Sequence, residues 1–342
     1  MKDTFADCPD CSDLDRRDFA RTLAVGGAAL AVGGLALPAR PAVAGERGPM
    51  PRVVNAQAED FVKELFGGLS DDQKKAVVKP WNHPARMSVN PNKALDKTIG
   101  AVYTKTQQEL VERIARAIAG GDRGWKQITR DGTWDASQTF DKCGADIFGD
   151  PTTGKFAFLF TGHHLTVRVD GDSEAGYAFG GPIYYGHTPD PYSDKNVFKH
   201  HTTAVMKLYD ALDPKQQAQA KARLGDAKNQ EGKASLDRLG ALKERPGIRY
   251  AELSGDQKEL VEQVMKAVLS PFRPQDGDEV LAIIKQSGGM DQIHFAFYAD
   301  GFEGSETSAK KPWSFWRLLG PGFVWNFRVL PHVHTYVNIK AV

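Results

Sequence analysis

The chain has almost no cysteine to spare. Of its 342 residues three are cysteine, and two of these, Cys8 and Cys11, fall in a leading stretch that reads as removable. That leaves Cys143 alone, which excludes an intramolecular disulfide framework in the remainder and fits a small buried side chain better than a nucleophile. There is no basic excess either. Lys plus Arg number 44 against 43 for Asp plus Glu, so no surplus charge is available to neutralise a phosphate backbone, and nucleic acid is not an expected partner. The GxSxG elbow, the Walker loop, HExxH and a GxGxxG between strand and helix are all missing, which removes the best-marked hydrolase, nucleotide and zinc-protease readings.

The one extended apolar run, Leu23 to Leu37, is short and rich in Gly and Ala. A bilayer span needs roughly 20 residues, so this run is a poor anchor. It follows Arg16 and Arg17 in "LDRRDFAR" and precedes "ARPAVAGE", giving the charged, apolar and A-x-A regions of an export signal in their proper order. The paired arginines with Phe19 resemble a twin-arginine signal, although Asp15 stands where Ser or Thr is usual and Ala20 where Leu often stands. Residues 1–44 are therefore expected to engage the twin-arginine export machinery. Cleavage after Ala44 then leaves a periplasmic or secreted protein, Gly45 to Val342, without a stable membrane anchor. Because that route carries folded proteins, often with a cofactor already loaded, the resemblance also favours a metal.

What the chain does have is ordinary globular composition, 41% hydrophobic and 25% charged, enough for a single domain over 45–342, whole or divided into two lobes. Three segments, "LSDDQKKAVV" from Leu69, "LDPKQQAQA" from Leu212 and "LSGDQKELVEQVMKAVL" from Leu253, each place Ser or Asp three residues before Gln. That spacing is a capping box, so each predicts a helix start, and independent boxes are a simpler account of the three than a duplication. Leu110, Val111, Ile114, Ala115 and Ile118 form the stripe of another helix, and His201, Val205, Leu208, Tyr209 and Leu212 of one more. The polar stretch from Gln219 to Gly247 reads as solvated helix and loop. Strands fall in two blocks, "GKFAFLFTGHHLTVRVDG" and "QIHFAFYADG" with "FVWNFRVLPHVHTYVNIKAV". Helices grouped before and between strand blocks predict an α+β fold with a mainly antiparallel sheet.

The histidines, nine in all, carry the best lead to chemistry. On a strand "PHVHTYVNI" sends His332, His334, Tyr336 and Asn338 to one face and the β-branched residues between them to the other. Imidazoles two residues apart start about 6–7 Å apart at the backbone and can converge on one ion at about 2 Å each. HxH is thus a two-ligand chelate for copper, zinc or iron. His163 and His164 in "TGHHLTVRV" stand at the start of a strand, where regular geometry sends them to opposite faces. One is then expected as ligand or base, with the other packed or bonded to a carboxylate, unless Gly162 permits a bulge. His187, in the Gly- and Pro-rich loop "GGPIYYGHTPDPY" beside Tyr184, Tyr185 and Tyr192, is a candidate third or fourth ligand. His201 reads as a core histidine with His200 turned away from the core, and His83 and His294 have no local partner. Tyr336 would serve as proton carrier beside the ion, and Arg168 would hold an anionic substrate. A non-enzymatic periplasmic binding or carrier protein for a metal or a small molecule, with Trp313, Trp316 and Trp325 lining its pocket, is the alternative of a different class.

The blocks "GHHLTVRV" and "GPIYYGHTP", the L-x-x-x-Q helix starts and the segment "WRLLGPGFVWNFRVLPHVHTYVNI" together resemble an exported bacterial family, domain of unknown function 3500, from about Phe61 to Ile339. The resemblance implies that His163, His164, His332 and His334 occupy the family's characteristic positions, and it implies no particular reaction.

Overall fold

The computed structural model describes residues 56–89, 93–223, 244–300 and 306–342. The expected export signal over 1–44, with Cys8 and Cys11, lies outside them, as does most of the polar stretch after Gln219. The framework begins with the capping boxes. Ser70, Asp213 and Ser254 each accept from the backbone N–H of Gln73, Gln216 and Gln257, whose side chains reach back to the cap. A fourth box, Thr104 with Gln107, opens the striped helix Lys105–Ile118, which buries Leu110, Val111, Ile114, Ala115 and Ile118 as its periodicity requires.

In chain order the helices are α1 (Ala56–Gly67), α2 (Asp71–Val77), α3 (Ile99–Val102), α4 (Lys105–Ile118) and α5 (Gly121–Thr129), then α6 (Lys199–Ala211), α7 (Pro214–Ala220), α8 (Gly255–Leu269) and α9 (Pro274–Gln286). The strands are β1 (Val78–Lys79), β2 (Gly144–Asp150), β3 (Lys155–Gly162), β4 (Leu165–Val169), β5 (Ile183–His187), β6 (Lys221–Ala222), β7 (Ile248–Arg249), β8 (His294–Tyr298), β9 (Phe315–Gly320), β10 (Phe323–Arg328) and β11 (Val333–Ile339). They form one 11-stranded sheet in the order β1-β2-β3-β4-β5-β11-β10-β9-β8-β6, with β7 beside β8. Only the two-residue outer strands β1 and β6 pair in parallel, and every other pairing is antiparallel. The α+β architecture and its mainly antiparallel sheet are therefore present.

That strand order is the same sequence of pairings read inward from both ends, meeting where β5 pairs with β11. Each half opens on a helix, a capped short helix and a parallel edge strand (α1-α2-β1, α6-α7-β6), and continues through a capped long helix into antiparallel strands. The boxes even pair alike across each half. The Gln73 amide donates to Gln107 Oε1 at 2.7 Å, and Gln257 donates to Gln216 Oε1 at 2.7 Å. The segments "QQELVE" from Gln107 and "QKELVE" from Gln257 open α4 and α8 at matching places. Contrary to the expectation of independent boxes, the order of elements is that of a duplicated unit. The boxes recur because each half closes its edge with the same device.

Alternation along the strands divides the sheet's two faces. Ile147, Phe158, Val167, Ile183, Tyr185, Val337, Trp325, Phe327, Leu318 and Phe295 share one core cluster with the buried stripes of α4 and α8. The opposite face is also buried yet polar near its centre. Arg168, Tyr184, His334, Tyr336, Arg328, Asn326 and Arg317 all stand on it, each at most 3% exposed. Among the described residues no helix is long and apolar enough to cross a membrane.

Candidate metal centre

The residues of the centre meet beside the seam between the halves, His334 on β11 itself and the others brought in from neighbouring turns and loops. His163 and His164 are not strand residues, as expected from the sequence, but the two-residue turn of the β3–β4 hairpin, closed by the Gly162–Leu165 pair. His164 adopts a left-handed backbone, φ 53°, which lets both rings come to the same side, their centroids 3.9 Å apart. No bulge at Gly162 is needed. Arg130, itself buried, holds this turn: Nη2 donates to the carbonyls of His163, at 3.0 Å, and of His164, while Nε donates to the Gly186 carbonyl at 2.9 Å.

The loop after α5 brings the carboxylate. Arg130, Asp131, Trp134, Asp135 and Gln138 all have positive φ between 52° and 68°, conformations that persist only where surroundings enforce them. Here Trp134 is wedged among Trp125, Phe140 and Phe160, with centroids 5.8, 5.5 and 6.0 Å away. Asp135 Oδ2 meets His164 Nδ1 at 2.7 Å and accepts from the Thr188 N–H at 3.2 Å. Burial alone would raise its pKa, but the bonds from His163 and His164 and the Arg130 charge hold it below the usual carboxylate range.

His332 immediately precedes β11, and His334 lies within it opposite Gly186 of β5 and Arg328 of β10. The missing Gly186 side chain leaves room for the rings: a Cβ there would lie 3.3 Å from His164 Cγ. Nε2 of His332 and Nε2 of His334 are 2.7 Å apart, and the His164 ring is 5.0 and 4.7 Å from theirs. One ligand atom from each of His164, His332 and His334 lies within 4.8 Å of the other two, and the same holds for Asp135, His163 and His164. Two adjoining groups thus share His164. Its Nδ1 is engaged by Asp135, and its buried Nε2 has no hydrogen-bond partner. An orphaned nitrogen of this kind is expensive unless something fills it, and a carboxylate on the far nitrogen is how metal-binding imidazoles are oriented.

Arg328, like Asp135 and Arg130, is a residue the sequence reading missed. Its Nη2 contacts Nε2 of His334 and, at 3.3 Å, Nε2 of His332. Burial first, then the Arg328 charge, push His332 down to about 2 and His334 well below its ordinary value. Burial likewise lowers His164 to about 3 against the pull of Asp135. All three rings are neutral at pH 7, the form that ligates metal.

The remaining expected residues are placed less centrally. His187 pairs with Val333, so its side chain faces the helices, where Nδ1 accepts from the Val197 N–H at 3.2 Å. It belongs to neither ligand group. Arg168 donates from its guanidinium to the carbonyls of Pro182, at 2.5 Å, Arg86 and Ser88, and it belongs to neither ligand group. Tyr336 lies on the His334 face two residues further along, and the Tyr184 ring stands 5.7 Å from His334 and 6.2 Å from His164. His201 is fully buried among Tyr185, Phe198 and Phe327. His83 caps the turn at Pro84 by accepting from the Ala85 N–H. Cys143 is buried and pushed up to about 12 by that burial, which makes it a poor nucleophile.

An α+β sheet beside which His164, His332 and His334, and adjoining them Asp135, His163 and His164, lie within ligand distance defines a protein able to hold a metal ion. The chain belongs to the family described as "Protein of unknown function (DUF3500)", whose model matches residues 52–339. No curated protein and no solved structure shows significant similarity to it.

Proposed function

We propose that this is an exported metalloprotein in which His164, His332 and His334 bind one transition metal. One observation carries the reading. The three neutral imidazoles bring ligand nitrogens within 4.8 Å of one another, with Asp135 engaging Nδ1 of His164. Ligands at about 2.0–2.1 Å from one ion stand roughly 3.3 Å apart at the tetrahedral angle. A modest opening of the 2.7 Å His332–His334 contact reaches that separation.

Bound zinc would supply Lewis acidity and activate water near neutral pH, whereas copper or iron would supply oxidation chemistry. Arg328 favours the hydrolytic choice, because a guanidinium beside three neutral imidazoles stabilises negative charge developing on a carbonyl or phosphoryl oxygen. His332, the only half-exposed member of the trio, marks the side from which substrate approaches. The burial of the rest also supports a second reading, a protein that stores or carries the ion without turnover.

The deciding experiment is elemental analysis of protein purified from its export compartment, beside a His332→Ala/His334→Ala variant. Near-stoichiometric zinc, copper or iron lost from the variant is expected, and its identity chooses between hydrolysis and oxidation screens. Metal absent from a folded native protein, or retained in full by the variant, overturns the centre. Export is tested separately: a reporter fused after residue 44 reaches the periplasm, and Arg16→Lys/Arg17→Lys abolishes that.

A further inference from the structure

At the β1 edge of the sheet an amine is enclosed by two carboxyl groups, one buried and one half exposed. Lys79 of β1, its side chain 10% exposed, donates from Nζ to Asp146 Oδ1 of β2 at 2.9 Å, and the same nitrogen stands 2.5 Å from Asp96 Oδ2. Asp96 belongs to the segment leading into α3, and its side chain is 53% exposed. Asp146 is 1% exposed. It lies opposite Leu159 of β3, on the face where Phe148, Ala157 and Leu159 cluster with Trp81, Ala85 and Leu95. Its other oxygen, Oδ2, is buried with no hydrogen-bond partner. A buried ion pair that leaves one carboxylate oxygen unsatisfied is a poor source of stability. The triad therefore asks for a role beyond attraction of charges.

The two carboxyl groups differ in environment as an acid and an electrophile should. Burial raises Asp146 to about 6, with the Lys79 charge offsetting only part of the shift, so this carboxyl can take up and return a proton near neutrality. Burial also draws Lys79 down, but the bonds and charges of Asp96 and Asp146 outweigh it and keep the side chain an ammonium. For Lys79 to act as a nucleophile its proton must first pass to a neighbour. Asp146 Oδ1 is already in place to receive it.

We propose that Lys79 and Asp96 join in an isopeptide bond, with Asp146 as the general acid and base of its formation. Lys79 Nζ gives a proton to Asp146 and attacks Asp96 Cγ as the neutral amine. The C–N bond forms and one C–O bond of Asp96 breaks. Two protons leave Nζ by way of Asp146 and depart with that oxygen as water, so an ammonium and a carboxylate become an amide and water with no other reactant. Partners held in contact have effective molarities on the order of 10⁵ M or more, which offsets the tendency of water to hydrolyse an amide. The exposed side of Asp96 gives the water an exit. The bond ties the edge strand β1 to the segment before α3 and closes the stretch whose Arg86 and Ser88 carbonyls receive Arg168. It constrains the unfolded chain as a disulfide does, in a protein whose one cysteine among the described residues, Cys143, is free.

Mass spectrometry of the purified, denatured protein tests this. Trypsin is expected to release peptide 76–86 joined to peptide 94–97, lighter by one water than the two together. Lys79→Arg keeps a cation and Asp146→Asn keeps the shape. Each should give separate peptides and an intact mass one water above that of the native chain, after allowing for the substituted side chain. That difference does not depend on where the N-terminus begins. The native peptides decide the matter even where a variant does not fold. Separate native peptides at full mass overturn the proposal and leave an ion triad only. Loss of water without the joined peptide also overturns it, because that marks an aspartate cyclised on its own backbone. A joined peptide that persists in Asp146→Asn overturns the role of Asp146.

Discussion

At Arg328 two cations would compete for the same lone pairs. Its guanidinium contacts Nε2 of both His332 and His334, so an ion bound to those nitrogens displaces it. Arg328→Leu is therefore expected to raise zinc affinity at least tenfold, about 1.4 kcal/mol, measured by competition with a chromogenic chelator. Unchanged or weaker binding would show that the guanidinium and the ion do not share the site. Asp135 works in the opposite sense. Its carboxylate holds the His164 tautomer from 2.7 Å, so Asp135→Asn should lower affinity by roughly 10–100-fold, while the His187→Ala variant should bind as the native protein does. At this scale the sequence showed HxH clearly, because period-two alternation alone puts His332 and His334 on one face. It could not show that His187 faces the helices, since that depends on its register against Val333. Nor could it single out Asp135 and Arg328, whose relation to the histidines exists only once distant segments pair.

The elements that fix the centre are a turn and a strained loop. Arg130 joins them, with its donors on the carbonyls of His163, His164 and Gly186 and its charge facing Asp135. Arg130→Met removes those donors and leaves a buried carboxylate without its neighbouring cation, a loss on the order of 3–5 kcal/mol. A fall in Tm of roughly 5–15 °C is expected by calorimetry. Arg130→Lys should recover little, because one ammonium cannot reach three carbonyls in fork geometry. A smaller cost belongs to Gln257, which caps Ser254, donates to the Ala211 carbonyl and pairs with Gln216. Capping losses of this kind run to about 1–2 kcal/mol. The capped helix starts were readable from Ser, Asp and Gln spacing, and so was the antiparallel sheet from its blocked strands. The duplication was partly readable too. Its signal lay in "QQELVE" and "QKELVE", which are identical at five of six positions, while the L-x-x-x-Q motif joined segments that occupy different places in the two halves. The turn at His163 was misread as strand because nothing local marks it: the left-handed His164 is held by Arg130, 34 residues earlier.

For the molecule as a whole, buried neutral histidines make acid the weak side. His187, lowered to about 4, and His201, lowered further by complete burial, lie outside the metal centre, and His200 is also lowered to about 4. Each would take a proton in the unfolded chain near its ordinary pKa of about 6.5, while the folded state refuses it. Between the folded and unfolded values the unfolded state holds more protons, so stability rises with pH and is lost as pH falls below about 6.5. For buried groups such as His187 and His201 the slope approaches about 1.4 kcal/mol per pH unit each. The lowered His164, His332 and His334 act in the same direction. Asp146 opposes them. Burial, only partly offset by Lys79, raises it to about 6, so its folded state keeps a proton that the unfolded chain releases, and acid favours folding through that one group. The histidines outnumber it, and a domain stable by about 5–15 kcal/mol cannot absorb several such slopes across two pH units. Metal-free protein should therefore show a flat Tm above pH 7 and a steep decline between pH 6.5 and 4.5. His201→Leu should shallow that decline by one group's share without moving the plateau's pH. A Tm that holds constant down to pH 4.5 would mean that these rings find compensation for their protons inside the fold.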